Sequence, residues 1–233
     1  MYKNFAFAIT GAALFATGSA NAAVNNVATY DFEDNAAPAG FVVGVGSPSY
    51  AGGEIVLDGG SGITLASTPL TATDNFAMEA RLTPSAVNVF DFALGNTVGN
   101  TNTGYGILLE NPGNWKLIRQ GQIVLDSGVP VALNTEVTVA YVRQNGTSQL
   151  YLNGSPIGGT FGNSAAPTQF NIGWNPHDGA AGGFNGTIDE VRLSTFDGSD
   201  TLTFGGDGFL VPEPTSLALL GMGGLMVARR RRG

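Results

Sequence analysis

The sequence predicts an all-β fold, with two antiparallel sheets packed as a sandwich. Three observations carry that reading. Apolar residues alternate with polar ones in many short segments, which is the period of a half-buried strand. Asn-Gly pairs stand between such segments, and that pair favours a tight hairpin because both residues accept positive φ. The 233 residues include 35 Gly and 11 Pro, enough to punctuate a run of short strands and below the level of a disordered chain. Hydrophobic residues make up 43%, so material for a core is present. No window of the body shows a helical period.

The chain opens on Met1-Tyr2-Lys3-Asn4, then an apolar run from Phe5 to about Ala16, then Ala20-Asn21-Ala22. A positive start, an apolar stretch and an A-x-A site describe a secretory signal helix. Residues 1–22 are read as that signal, cut by signal peptidase after Ala22, and 23–194 as the folded domain. Within the domain, Phe76, Met78, Ala80 and Leu82 line one face of a strand, with Glu79 and Arg81 on the other. Pro112-Gly113 divides strands near 105–110 and 115–120. Asn145-Gly146 joins strands at 136–143 and 147–153, and Asn153-Gly154 supplies a further turn. About twelve strands are expected. Residues 195–210, with Asp197-Gly198-Ser199-Asp200 and Gly205-Gly206-Asp207-Gly208, read as a flexible spacer.

The end of the chain is tripartite: Pro212-Glu213-Pro214, an apolar run from Thr215 to Ala228, and Arg229, Arg230, Arg231 and Arg232. A helix of that run rises only ~21 Å, short of a ~30 Å hydrocarbon layer. The arginines hold this end on the cytoplasmic side. The arrangement suits a temporary membrane stop with a cut site beside the prolines. It resembles the PEP-CTERM sorting signal of Gram-negative bacteria over 211–233. The resemblance implies cleavage by an exosortase, transient tethering to the inner membrane, and delivery to the cell surface or an exopolysaccharide matrix.

Charge excludes one class of partner. Four of the ten basic residues sit in the tail and one is Lys3, so the body holds five against 18 acidic residues, a balance of −13. Nucleic acid requires a basic face and is not an expected partner. With no cysteine, there is no disulfide framework and no sulfur-based metal site.

The segments EVTVAYVRQNGTSQLYLNGSPI (136–157) and FNIGWNPHDGAAGGFNGTIDEVRLS (170–194) resemble the laminin-G-like, concanavalin A-like jelly rolls. Tyr30-Asp31-Phe32-Glu33 resembles their opening strand. The resemblance implies recognition of carbohydrate or protein, in some members with a structural calcium.

Catalysis finds little support in the residues. His177 is the only histidine, and it stands in a turn-like Asn-Pro-His-Asp-Gly stretch. No Gly-x-Ser-x-Gly elbow or Glu-x-Asp-x-x-Glu strand is present. Counting back by twos from Leu193 through Val191 brings Asp189 into the apolar phase, so it is expected to point inward. A buried carboxylate needs a cation or several donors. Asp189 is therefore the candidate calcium ligand, with backbone donors or an outward-turning bulge as alternatives. Trp174, His177 and Asp178 are the candidate ligand-binding residues, with Trp174 at the rim of the loop, and Trp115 and Tyr105 are further aromatic platforms. The leading expectation is a non-enzymatic surface or matrix protein that binds glycan. A structural matrix component with no specific ligand, and a divergent glycan hydrolase or lyase, stand beside it.

Overall fold

The computed structural model describes residues 24–70, 75–95, 105–110, 113–119, 122–162, 169–176 and 182–211. Among them seventeen strands occur where about twelve were expected, because several long apolar stretches are broken by Gly turns. The first five are β1 (Asn25–Asp31), β2 (Phe41–Val45), β3 (Ser49–Ala51), β4 (Glu54–Asp58) and β5 (Gly62–Leu65). There follow β6 (Phe76–Pro84), β7 (Asp91–Gly95), β8 (Tyr105–Glu110), β9 (Asn114–Arg119) and β10 (Gln122–Pro130). The rest are β11 (Val137–Gln144), β12 (Thr147–Leu152), β13 (Ser155–Gly162), β14 (Phe170–Ile172), β15 (Asn185–Thr195), β16 (Thr203–Phe204) and β17 (Leu210–Val211).

Two large antiparallel sheets form a sandwich. The first runs β13-β12-β11-β6-β15-β4-β3, with β1 also on β15. The second runs β10-β9-β8-β7-β14-β5-β2. Alternation explains what lies between them: Met78, Ala80 and Leu82 of β6 and Val139 and Tyr141 of β11 face Leu94, Ile107, Leu109, Trp115 and Ile172. Tyr105 stacks on Tyr141 across the layer, with ring centroids 5.2 Å apart. Trp115 is 1% exposed and Tyr105 not at all, so these two expected platforms belong to the core.

The turns follow their residues. Asn145 and Gly146 take φ of 51° and 76° and join β11 to β12; Asn153 and Gly154, at 49° and 74°, join β12 to β13. Gly113, at φ 104°, closes the β8–β9 turn through its N–H on the Glu110 carbonyl, 2.7 Å away.

The stretch expected to be a flexible spacer is folded. Residues 196–211 lie as a strap on the outer face of the first sheet. Phe196 and Leu210 join Ala77, Ala140, Val142 and Val24 in a second apolar cluster, with Leu202 and Phe204 packed against it. Its tip doubles back, β16 pairing only with β17. The Thr138 hydroxyl donates to the Asp207 carbonyl at 2.6 Å. Gly154 receives the Phe204 side chain, which stands 2.7 Å from where a Cβ would lie. The glycines that suggested slackness supply the bend of this strap.

Candidate functional site

On the second sheet, Thr64 of β5 and Asn171 of β14 alternate with the core residues Ile63, Leu65, Phe170 and Ile172, so they face outward. Just beyond β14, Trp174 crosses this face. A Cβ at Gly44 would stand 2.3 Å from the indole nitrogen, and one at Gly62 2.5 Å from the ring. The indole therefore rests directly on backbone that only glycine leaves bare. Its Nε1–H donates to the Thr64 hydroxyl oxygen at 3.0 Å. That hydroxyl donates in turn to Asn171 Oδ1 at 3.0 Å, which also accepts from Gln169 Nε2 at 2.7 Å. The ring is thus fixed by packing beneath and by a polar chain at its edge, and it stays half-buried. Val42, opposite Thr64 in the β2–β5 register, is 60% exposed beside it. The result is a fixed, half-buried indole whose polar supports Thr64 and Asn171 are themselves buried, with Gln169 the part-exposed amide of the chain. Trp174 was expected at a loop rim and instead lies across the outer face of the second sheet. Thr64, Asn171 and Gln169 were not anticipated; nothing local in the sequence marks them, because Thr64 meets the other two across more than 100 residues.

Asp189 departs from the leading expectation and follows the alternative of an outward-turning bulge. The β6–β15 register slips between Ile188 and Glu190, so Asp189 is the extra residue of a β-bulge. Ile188, Val191 and Leu193 are all fully buried, and the bulge switches phase between them. Asp189 is turned outward onto Arg81, with Oδ2 2.5 Å from Nε. Arg81 also reaches Glu190 at 3.1 Å, and Arg192 holds the other Glu190 oxygen at 2.6 Å. The side chains of these pairs are 14–28% exposed. The donor set does not fit calcium: Asp189 is already matched by a guanidinium, and no group of three or more acidic or histidine side chains forms among the described residues.

Glu79, read on the strand face opposite Met78 and Ala80, is fully buried there. The strap covers it. Glu79 Oε1 accepts the Leu210 N–H at 2.7 Å, and Oε2 has no hydrogen-bond partner among the described residues. Burial pushes its carboxyl up to about 7, although the Leu210 N–H and Arg192 oppose that rise. Phe209 of the strap, itself fully buried, lies under two cations, with Arg192 3.9 Å and Arg81 5.7 Å from its ring centroid.

His177, Asp178, Ala22, Pro212, Glu213, Pro214 and Arg229 to Arg232 lie outside the described residues.

Comparison with known families fits this architecture. Residues 57–198 match the model of the concanavalin A-like lectin/glucanases superfamily, in its laminin G form. The chain belongs to that superfamily. This lectin/glucanase-like domain is followed by a match to the PEP-CTERM protein-sorting motif over 210–232, which marks an exported protein processed at the membrane. Among solved structures, the superfamily fold of this chain is similar to domain 4 of AbnA, an extracellular arabinanase from Geobacillus stearothermophilus, in complex with arabinotriose. The identity is 22% and the TM-score 0.59, over 75% of this chain and 94% of that one. It is also similar to Trypanosoma rangeli sialidase, at 14% identity and a TM-score of 0.54, over 75% of this chain and 30% of the sialidase. No curated protein matches the chain.

Proposed function

We propose that this is an exported bacterial protein that binds glycan, or another matrix component, without catalysis. In this reading signal peptidase removes residues 1–22, an exosortase cuts at Pro212–Pro214, and the body is delivered to the cell surface or an exopolysaccharide matrix. The observation that carries the binding half is the Trp174 indole, held flat on Gly44 and Gly62 by its bond to Thr64. The apolar face of a sugar ring stacks on such a surface, and a few fixed polar groups set its orientation. The part-exposed Gln169 amide is placed to do so, while Asn171, itself buried, holds that amide in position. The likeness to an arabinanase domain seen with arabinotriose supports the reading at the level of fold. The reading omits catalysis because the carboxylates that stand out are otherwise engaged. Glu79 is sealed beneath the strap, and Asp189 and Glu190 are held by Arg81 and Arg192. Most glycosidases use two carboxyl groups facing one open cleft.

The body is tested on a glycan array, with linear arabinan and a sialylated oligosaccharide as defined probes. Trp174→Ala is expected to weaken retention roughly tenfold or more, the effect of losing one stacking contact. Its melting temperature should change little beside that loss. Wild-type protein retained on no glycan would favour a structural matrix component with no specific ligand.

A further inference from the structure

The strap ends where the sorting motif begins. Leu210 is 4% exposed and its N–H is bonded to Glu79, and Pro212 follows two residues later in the chain. Two residues span at most ~7 Å, so the last docked residue and the start of the motif are separated by almost no slack.

An enzyme that cuts a peptide chain commonly takes it extended and grips its main chain on both sides of the scissile bond. On the N-terminal side of this motif the main chain is already committed. The Phe209 carbonyl accepts the Gly205 N–H at 2.7 Å, Leu210 gives its N–H to Glu79, and Leu210 and Val211 pair with Phe204 and Thr203. The Phe209 ring is pinned beneath Arg192 and Arg81. We propose that the docked strap is an autoinhibitory latch on processing: cleavage of the sorting motif waits until residues 196–211 leave the outer face of the first sheet.

The fold permits that opening. The strap adds no strand to either large sheet, since β16 and β17 pair only with each other. It can lift away with both main ladders intact, a local opening rather than global unfolding. Gly205, Gly206 and Gly208 give it a bend that can straighten, and its 16 residues would then supply up to ~50 Å of free chain. The latch rests on the tail being a processed sorting signal, and it is independent of the glycan reading, because Trp174 stands on the other sheet.

The test follows processing of the full-length chain by pulse-chase in a host that carries the sorting enzyme. Phe209→Ala removes the ring under the two guanidiniums and is expected to speed cleavage roughly tenfold, with faster hydrogen exchange at the Leu210 amide. A clamped form does the reverse. A Cβ at Gly208 would lie 2.9 Å from the Thr138 Cβ, so Thr138→Cys with Gly208→Cys brings two thiols within bridging reach after a shift of ~1 Å; because Gly208 sits at φ 80°, where cysteine is strained, the bridge is verified by mass before rates are compared. The chain has no other cysteine to interfere. The oxidised pair should be processed more slowly than wild type, and reductant should restore the rate. The same protein compared oxidised and reduced separates latching from misfolding. Equal rates in the clamped and released forms, or slower cleavage of Phe209→Ala with the Leu210 amide exchanging faster, would overturn the proposal.

Discussion

Burial raises the Glu79 carboxyl from 4.5 to about 7, and the Leu210 N–H and the Arg192 guanidinium only partly offset it, while Asp207 and Glu190 add to the rise. The folded value lies above the unfolded one. The folded state therefore holds more protons between pH 4.5 and 7, and stability falls as pH rises through that window. The loss is on the order of 3 kcal/mol for a shift of this size. Other carboxyls titrate as well, so the difference between wild type and Glu79→Gln isolates the effect. Melting temperatures measured from pH 4 to 8 should show wild type losing stability relative to the variant as pH rises. A constant difference across the range would count against a buried, proton-holding Glu79. This burial was not legible in sequence, and the outward turn of Asp189 was legible only as an alternative. Glu79 is covered by a residue 131 positions away, and parity counting fails across a bulge. Trp174 was legible as an aromatic beside a Gly-rich loop, but the polar chain that fixes its edge was not.

Strands and turns were the most legible part of the molecule, since each depends on neighbours in the chain. The β11–β12 hairpin shows why. Asn145 and Gly146 both adopt left-handed φ, and the six residue pairs from Val139↔Leu152 to Gln144↔Thr147 follow without a slip. Gly146 has open space where a Cβ would stand, so a substitution there tests backbone conformation rather than collision. Gly146→Val should lower stability by about 1–2 kcal/mol, read as a shift in the denaturant midpoint at unchanged slope. Gly146→Asn, which tolerates this region, should cost less. The strap was misread because its composition is that of a linker. Phe196, Leu202, Phe204, Phe209 and Leu210 are spaced by Gly and Asp turns, and no simple period reveals that they share one surface.

For the whole molecule, the sandwich is completed by a third, partial layer. The first sheet has one face on the core and the other beneath the strap, so Ala77, Ala140 and Val142 are buried on the side where solvent would otherwise lie. Each large apolar side chain of the strap contributes about 1.5–3 kcal/mol when fully buried, as Phe209 is. A body ending at residue 195 should therefore melt lower than one ending at 211. It should also bind a hydrophobic dye through the uncovered face. If 196–211 were only a linker, the two bodies would melt alike.

The bulge at Asp189 also bears on how this chain tolerates change in length. Within a regular strand, losing one residue inverts the facing of everything on one side of the break. Here the inversion is already present, because Ile188 and Val191 both reach the core across three peptide bonds. Removal of Asp189 would bring Ile188, Val191 and Leu193 into unbroken alternation. A deletion two or three positions later, at Val191 or Arg192, would remove a core residue or put Leu193 out of phase. The surplus residue makes the two-residue bulge of β15, Asp189 or Glu190, a natural site for a one-codon loss, at the expense of one partner that Arg81 now holds.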